Sequence, residues 1–351
     1  MALQASGPIS FSQISNEFGT PPGKNLGAYR ISQTIGELTR PLDDDIPTSG
    51  TIRFSDFYSK KLNIVVYCSG NRVIARDLYN SNQFTFVIGG FTSRPISSSG
   101  KKVWIYTNEV IGSNVPASSS QNNLYCSLIT GGFDGDTDLK LDIGPSAVVS
   151  GAGGDGGRGG NSFYNACEQG QPGRFGTSAI GVNHQPITIT NRGRIQGGTG
   201  GGGGGGVAFA HNHRSRGRSI NSLAPGGGGG GGLGFPGGSG APPGVAGGQN
   251  RSTTVRNATA GSGGNINANG AGGVGAYQDG SGAVAEGGSG GSGGNTGSSG
   301  TIISASDDRC SSGGGSAGSA GFGIIITNDG TGVSITGNGR IGGDVYNTPI
   351  L

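Results

Sequence analysis

Neither Asp nor Glu occurs between Gln169 and Gln278, and no Lys follows Lys140. A stretch that long without acids holds no carboxylate pair for hydrolysis, which argues against an enzyme of that kind. The four cysteines (Cys68, Cys126, Cys167, Cys310) are far apart without C-x-x-C spacing, so a zinc site is not expected and their pairing stays open. Cys68 and Cys126 lie in strand-like runs. No run of 18 apolar residues suggests a membrane span, and Met1 to Pro8 has neither a basic nor an apolar leader segment. The expectation is a soluble chain without a cleaved signal. No coiled-coil heptad is visible, and no G-x-x-x-x-G-K-S/T phosphate loop occurs. Charged residues make up 12% and hydrophobic residues 31%, which excludes both an ordinary globular enzyme and a charge-rich disordered chain.

What is present is glycine, 80 of 351 residues. Residues 1–143 hold 14 of them and residues 144–351 the other 66, about 32% of that part. No Gly-X-Y register runs through it, and Gly200 to Gly206 is unbroken, so collagen is excluded. At this density about six chance G-x-G-x-x-G matches are expected, and none is evidence of a nucleotide site.

Three regions follow. Residues 1–60 carry a repeated phrase, S-G-x-I-x-F-S, at Ser6 to Ser12 and again at Ser49 to Ser55. Ser10 and Gln13 match a capping box before a two-turn helix with Phe11, Ile14 and Phe18 on one face, and Ser55 is placed to cap a single turn holding Phe57 and Tyr58. So few apolar groups hardly stand alone, so this module is expected to dock on something. Asp43-Asp44-Asp45 reads as solvated. Residues 61–150 hold short β-branched or aromatic runs separated by turn clusters, among them Ile64 to Tyr67, Phe84 to Ile88, Val103 to Tyr106 and Leu139 to Ile143; a β-sandwich is expected. Asp134-Gly-Asp-Thr-Asp138 imitates a calcium loop but has Leu139 at the sixth position and Pro145 at the twelfth, so an EF-hand fails. Residues 151–351 are glycine tracts between apolar islands. Ile187 to Gly198 is echoed by Val333 to Gly343, each read as strand, Asn-Gly turn, strand.

Two seven-glycine runs, Gly200 to Gly206 and Gly226 to Gly232, are too pure for a Ser-padded linker. Ordering seven glycines costs about 4–7 kcal/mol more than ordering alanines, so compensation is required. Packed polyglycine helices supply it: three residues per turn, no internal hydrogen bonds, and every N–H and C=O bonded to a neighbouring segment. Seven residues span about 22 Å. Between the runs lies His211-Asn-His213-Arg214-Ser-Arg216-Gly-Arg218, an arginine-bearing segment suited to display and to bidentate anion binding. The histidines at i and i+2 have a metal-ligand spacing, but the arginines beside them oppose a cation, so no metal is assigned. One RGG and few aromatics argue against nucleic acid.

The opening phrase, Asn16-Glu17-Phe18-Gly19, Leu26 to Arg30, and Ile46 to Gly50 leading to Phe54-Ser55-Asp56-Phe57-Tyr58 resemble the short N-terminal module of tailed-phage structural proteins. Gly144 to Gly154, and Ile189 to Gly198 followed by a seven-glycine run, resemble the glycine-rich receptor-binding domains of phage tail fibre adhesins. The resemblance covers residues 1–60 and about 144–351. It implies a non-enzymatic virion protein of the tail without cofactor, assembled in the bacterial cytoplasm and not inserted into membrane. Its architecture is mostly β and irregular: an attachment module (1–60), the β-sandwich (61–150) and a packed polyglycine domain with few strands (151–351). Attachment to tail or baseplate proteins is expected through Ile9, Phe11, Phe18, Ile52, Phe54, Phe57 and Tyr58. Host recognition, of an anionic surface glycan such as lipopolysaccharide, is expected through His211, His213, Arg214, Arg216 and Arg218. A homotrimer is the usual tail-fibre state, although some adhesin tips are monomers on a trimeric shaft, and a purely structural virion part is the alternative function.

Overall fold

The structure is a computed structural model that describes all residues except 1–2, 22, 24, 36, 82–96, 114–124, 165, 214–218, 248–252, 281, 306, 328–331 and 349–351. It is mostly strand and irregular chain, with two α-helices among the described residues, Phe11–Phe18 and Ala75–Asn80.

Phe84 to Ile88 lies outside the described residues; the other apolar runs do not form a sandwich. They stack in parallel into three sheets that share one interior. The first runs Asn63–Tyr67, Lys102–Thr107, Asp138–Ile143, Ile187–Asn191, Val333–Thr336. The second runs Val110–Ile111, Val148–Ser150, Arg194–Gln196, Arg340–Gly342. The third runs Val73–Ile74, Cys126–Ile129, Ser178–Val182, Ile324–Thr327, Val345–Thr348. The chain visits the sheets in turn, so each circuit lies on the previous one, as in a β-solenoid. Strict alternation at Leu139, Leu141 and Ile143 therefore points those residues inward, where they continue the columns Ile64–Val103–Leu139–Ile187 and Val66–Ile105–Leu141–Ile189. No circuit buries its apolar face alone; the stack does.

The repeated phrase gains a different meaning from this. Its two strands lie in different sheets, and Asn191-Arg192-Gly193 turns the corner between them instead of closing a hairpin. The two copies are successive circuits in parallel register, Ile187 opposite Val333 and Arg194 opposite Arg340. Asn191 stitches the corner: its Oδ1 accepts the Gly193 N–H at 3.1 Å and its carbonyl the Gly339 N–H at 2.9 Å.

Residues 3–60 dock on their own chain. Ser10 and Gln13 form the expected capping box, and Ile14, Phe18, Tyr29 and Phe57 join the solenoid's apolar cluster. The second turn spans Phe54–Phe57, capped by Arg53 and not by the expected Ser55, with Tyr58 just past its end; the Arg53 N–H donates to Asp56 at 2.7 Å. The hairpin Ser32–Ile35/Leu38–Pro41 carries Leu38 over Val65, Trp104 and Tyr106 on the outside of the first sheet, and the Arg40 guanidinium stacks 3.7 Å above Trp104. Asp43 is buried instead of solvated; it accepts the Lys61 N–H at 2.8 Å and pairs with Lys102 at 3.2 Å.

The glycine-rich part enters the solenoid as two insertions, 151–177 and 197–323, both between a second-sheet and a third-sheet strand. Its straight segments repeat their hydrogen bonds every three residues. In the first seven-glycine run, Gly201 and Gly204 donate to Arg174 and Gln171, Gly202 and Gly205 to Gly230 and Gly227, and Gly203 and Gly206 to Asn295 and Ser298, at 2.8 to 3.0 Å. Its carbonyls accept from a second trio: Gly157 and Gly160, Gly315 and Gly318, and Gly288 and Gly291. Three donor directions and three acceptor directions make a sixfold surround. Gly226 to Gly232 is enclosed in the same way, by residues near 157, 202, 241, 261, 272 and 289. A Cβ on Gly201, Gly203 or Gly204 would lie 1.8 to 2.0 Å from a neighbouring carbonyl oxygen, so these positions admit nothing larger than hydrogen.

The cysteines divide into two kinds. Cys167 and Cys310 form a disulfide across 143 residues of sequence. Cys68 and Cys126 are buried thiols outside any disulfide, and burial pushes both up to about 12. They stay protonated and shielded at pH 8, so a thiol reagent is expected to label none in the native protein. Two should appear in denaturant and four after reduction.

Candidate functional site

The straight segments run between two dissimilar ends. At one end the turns rest on the solenoid: the Ser113 N–H donates to the Phe235 carbonyl at 2.8 Å, and the Gln196 side-chain amide reaches Ile266 O at 3.0 Å. Arg194 adds bonds to Ile266 O and to Asn267, the latter at 3.1 Å. At the other end, the connections 161–167, 207–224, 245–256, 277–286 and 301–311 come together away from the solenoid.

That end is a cap of short antiparallel hairpins. Ala208–His213 pairs with Ser219–Ala224 on one side and Asp307–Ser311 on the other. Thr253–Arg256, Tyr277–Gly280, Ala283–Glu286 and Thr301–Ser304 form a second sheet. The core beneath is built of alanines, Ala208, Ala210, Ala224, Ala276, Ala283 and Ala285, because hairpins springing from closely spaced segments leave little room between them. The Cys167–Cys310 disulfide ties the first connection to the last. Tyr164, Val255 and Ile303 are more than half exposed on this cap.

The expected recognition residues divide sharply. His211 is buried, 1% exposed, with Nδ1 2.6 Å from Asn221 Oδ1 in the facing strand, so it supports the hairpin and is not displayed. Alternation along an extended strand leaves this ring facing the cap interior. His213 is the last residue of its strand, opposite Ser219. Arg214, Arg216 and Arg218 fall in the link 214–218, outside the described residues. The acid-free character of the sequence segment does not extend to the cap: Asp307 and Asp308 pair in register with His211 and Ala210. Sequence reasoning missed these acids because they lie about 100 residues away in the chain.

The attachment residues are mostly spent internally. Phe18 and Phe57 are fully buried, Ile9, Phe11 and Ile52 pack against the same core, and the Tyr58 hydroxyl donates to the Gly7 carbonyl. Phe54 alone of the set is largely exposed, at 42%. The calcium-like acids are taken up locally: Asp134 accepts the Ser98 hydroxyl and Asp136 the Ser99 hydroxyl, bonds that hold both carboxyls below the usual range. Among the described residues no cluster of three or more His, Cys, Asp or Glu is placed to hold a metal, and no helix is long and apolar enough to cross a membrane.

The family described as phage tail fibre adhesin Gp38 matches residues 93–346, most of the chain. The chain belongs to this family. It is accordingly an adhesin of the virion tail, and the family is one of adhesins, not of enzymes. Among solved structures, the gp37–gp38 adhesin tip complex of the bacteriophage S16 long tail fiber matches at 18% identity, covering 99% of this chain and 100% of that one, with a TM-score of 0.33. No curated protein matches the chain.

Proposed function

We propose that this adhesin recognises the host surface through its cap, with the solenoid end turned toward the tail. The observation that carries the reading is that five connections gather at one end of a rigid array while the opposite turns are bonded to the solenoid. A scaffold with fixed straight segments and variable links suits display. We take the straight segments to be polyglycine helices, since hydrogen bonds repeating every third residue to three neighbours fit that geometry. The ligand is read as an anionic glycan held by Arg214, Arg216 and Arg218, whose guanidiniums suit bidentate anion contacts. His213 ends its strand and precedes them in sequence.

On the tail side, the complex named for the S16 fiber pairs its adhesin with a second fiber protein, and attachment of this chain to a fibre protein through residues 1–60 follows the same plan. Phe54 is the exposed apolar residue there. Assembly in the bacterial cytoplasm and a homotrimeric state belong to the same reading; sedimentation at three times 34.5 kDa is the signature of the trimer.

Replacing Arg214, Arg216 and Arg218 together by Ala is expected to lower adsorption of assembled particles at least tenfold, and periodate oxidation of host-cell glycans is expected to do the same to the wild type. Unchanged adsorption of the triple variant overturns the loop assignment. Unchanged adsorption to oxidised cells replaces the glycan with a protein receptor, for which exposed Tyr164, Val255 and Ile303 would be the contacts. A purely structural role predicts that purified protein does not compete with phage for cells.

A further inference from the structure

The flank of the array, midway between solenoid and cap, carries a groove of about 930 Å³. Four segments build it, 155–158, 171–175, 239–242 and 316–317, and hydrogen bonds between them fix its shape. The Arg174 N–H donates to Asp155 O at 2.8 Å, the Gly156 N–H to Ser239 O at 2.9 Å, and the Ser239 N–H to the Asp155 carboxylate at 2.7 Å. Because bonding repeats every third residue, the segment 151–160 points one residue in three outward. Asp155 and Arg158 are those residues there, and Ser239 and Pro242 hold the same spacing on the adjoining segment.

The cations of this groove are only partly spent on the fold. Arg174 is exposed and makes no side-chain hydrogen bond or ion pair among the described residues. Arg158 Nε is buried without a hydrogen-bond partner, and its Nη2 forms an ion pair with Glu168 at 3.7 Å, too long for a hydrogen bond. The Arg158 side chain is nonetheless 42% exposed, so an entering anion can reach its remaining guanidinium N–H groups. Beside the two cations, Phe175 exposes 38% of its surface and Pro242 adds a second apolar patch. The remaining lone pairs of Asp155 and the Ser239 hydroxyl can receive or donate bonds to hydroxyl groups.

We infer that this groove binds a saccharide bearing a carboxylate or phosphate: the arginines take the acid group, Phe175 and Pro242 the C–H face of the ring, and Asp155 and Ser239 its hydroxyls. A carboxylate in the groove disfavours nucleic acid, whose charge runs along the whole chain. The inference rests on the reading that the adhesin meets a glycan-coated surface, but it uses no residue of the cap.

The test is titration of the full-length protein with glucuronate and with glucose 6-phosphate, followed by ligand-observed NMR, with glucose and inorganic phosphate as controls. At least one acidic sugar is expected to bind with a Kd of about 1 mM or tighter. Arg158→Gln, Arg174→Gln and Phe175→Ala are each expected to weaken it tenfold or more at unchanged thermal midpoint. The glucuronate and glucose 6-phosphate arms separate a carboxylate site from a phosphate site. The Arg214, Arg216 and Arg218 triple variant should bind like wild type whatever its adsorption, which keeps this site distinguishable from the cap. Absence of binding by both acidic sugars, equal binding of glucose or inorganic phosphate, or full affinity in the groove variants would overturn the inference.

Discussion

Gly203→Ala and Gly204→Ala should each destabilise the adhesin by at least about 3 kcal/mol, through overpacking that cannot relax and hydrogen bonds that must lengthen. The new methyl carbon would sit 1.8 Å from Gly315 O in the first case and 2.0 Å from Arg158 O in the second. Ordinary contact needs more than 3 Å, so a neighbouring segment must retreat by over 1 Å. It cannot do so alone, because Gly315 donates to Gly204 O and Gly203 donates to Asn295 O, each within an array bonded on every side. Displacing one segment therefore breaks bonds on its far side as well. Gly313→Ala is the control: no atom lies within 4 Å of a Cβ there, and the change should be neutral or stabilising by about 0.4–1 kcal/mol through the unfolded chain. Calorimetry should show the midpoint falling by roughly 5–10 °C in the first two variants and not in the third. Equal midpoints in all three would mean that the array tolerates a side chain at its centre.

Glu17→Ala should loosen the N-terminal module by about 3–5 kcal/mol. Glu17 and Lys101 are both buried, with side chains 3% and 6% exposed, and one carboxylate oxygen accepts the Lys101 ammonium. The other oxygen accepts the Leu62 N–H at 2.9 Å. Truncation strands a buried ammonium, which is the expensive part of the change. Pairing Glu17→Met with Lys101→Met removes both charges and should recover all but about 1–3 kcal/mol, the remainder being the Leu62 N–H left without its acceptor. Limited proteolysis reads the effect, since a loosened module should be cut between residues 3 and 60 while the glycine array stays intact. Wild-type resistance of the Glu17→Ala protein would show that the apolar contacts of Phe18, Tyr29 and Phe57 hold the module without the pair.

Much of the local structure was legible. The Ser10–Gln13 capping box forms as expected because every atom it needs lies within one turn. The purity of the two seven-glycine runs announces a segment approached from all sides, and those two runs are the ones enclosed sixfold. The solenoid was not legible from the strands, because a parallel circuit and an antiparallel sandwich both read as short alternating runs. The one sign was the repeat of Ile187 to Gly198 at Val333 to Gly343, and 127 residues inserted between circuits, 197–323, separated the copies too far to suggest stacking.

Composition and pattern by themselves determined the glycine-dense array, the capped N-terminal helix and the acid-free sequence on either side of the arginine link, since each depends on residues adjacent in sequence. Only the tertiary structure decided that the strands stack in parallel, that Cys167 meets Cys310, that Asp307 pairs in register with His211, and that Arg158 and Arg174 share one groove. Those outcomes depend on which distant segments become neighbours, and main-chain hydrogen bonds between glycines carry no side-chain code from which a reader of the sequence could infer the pairing.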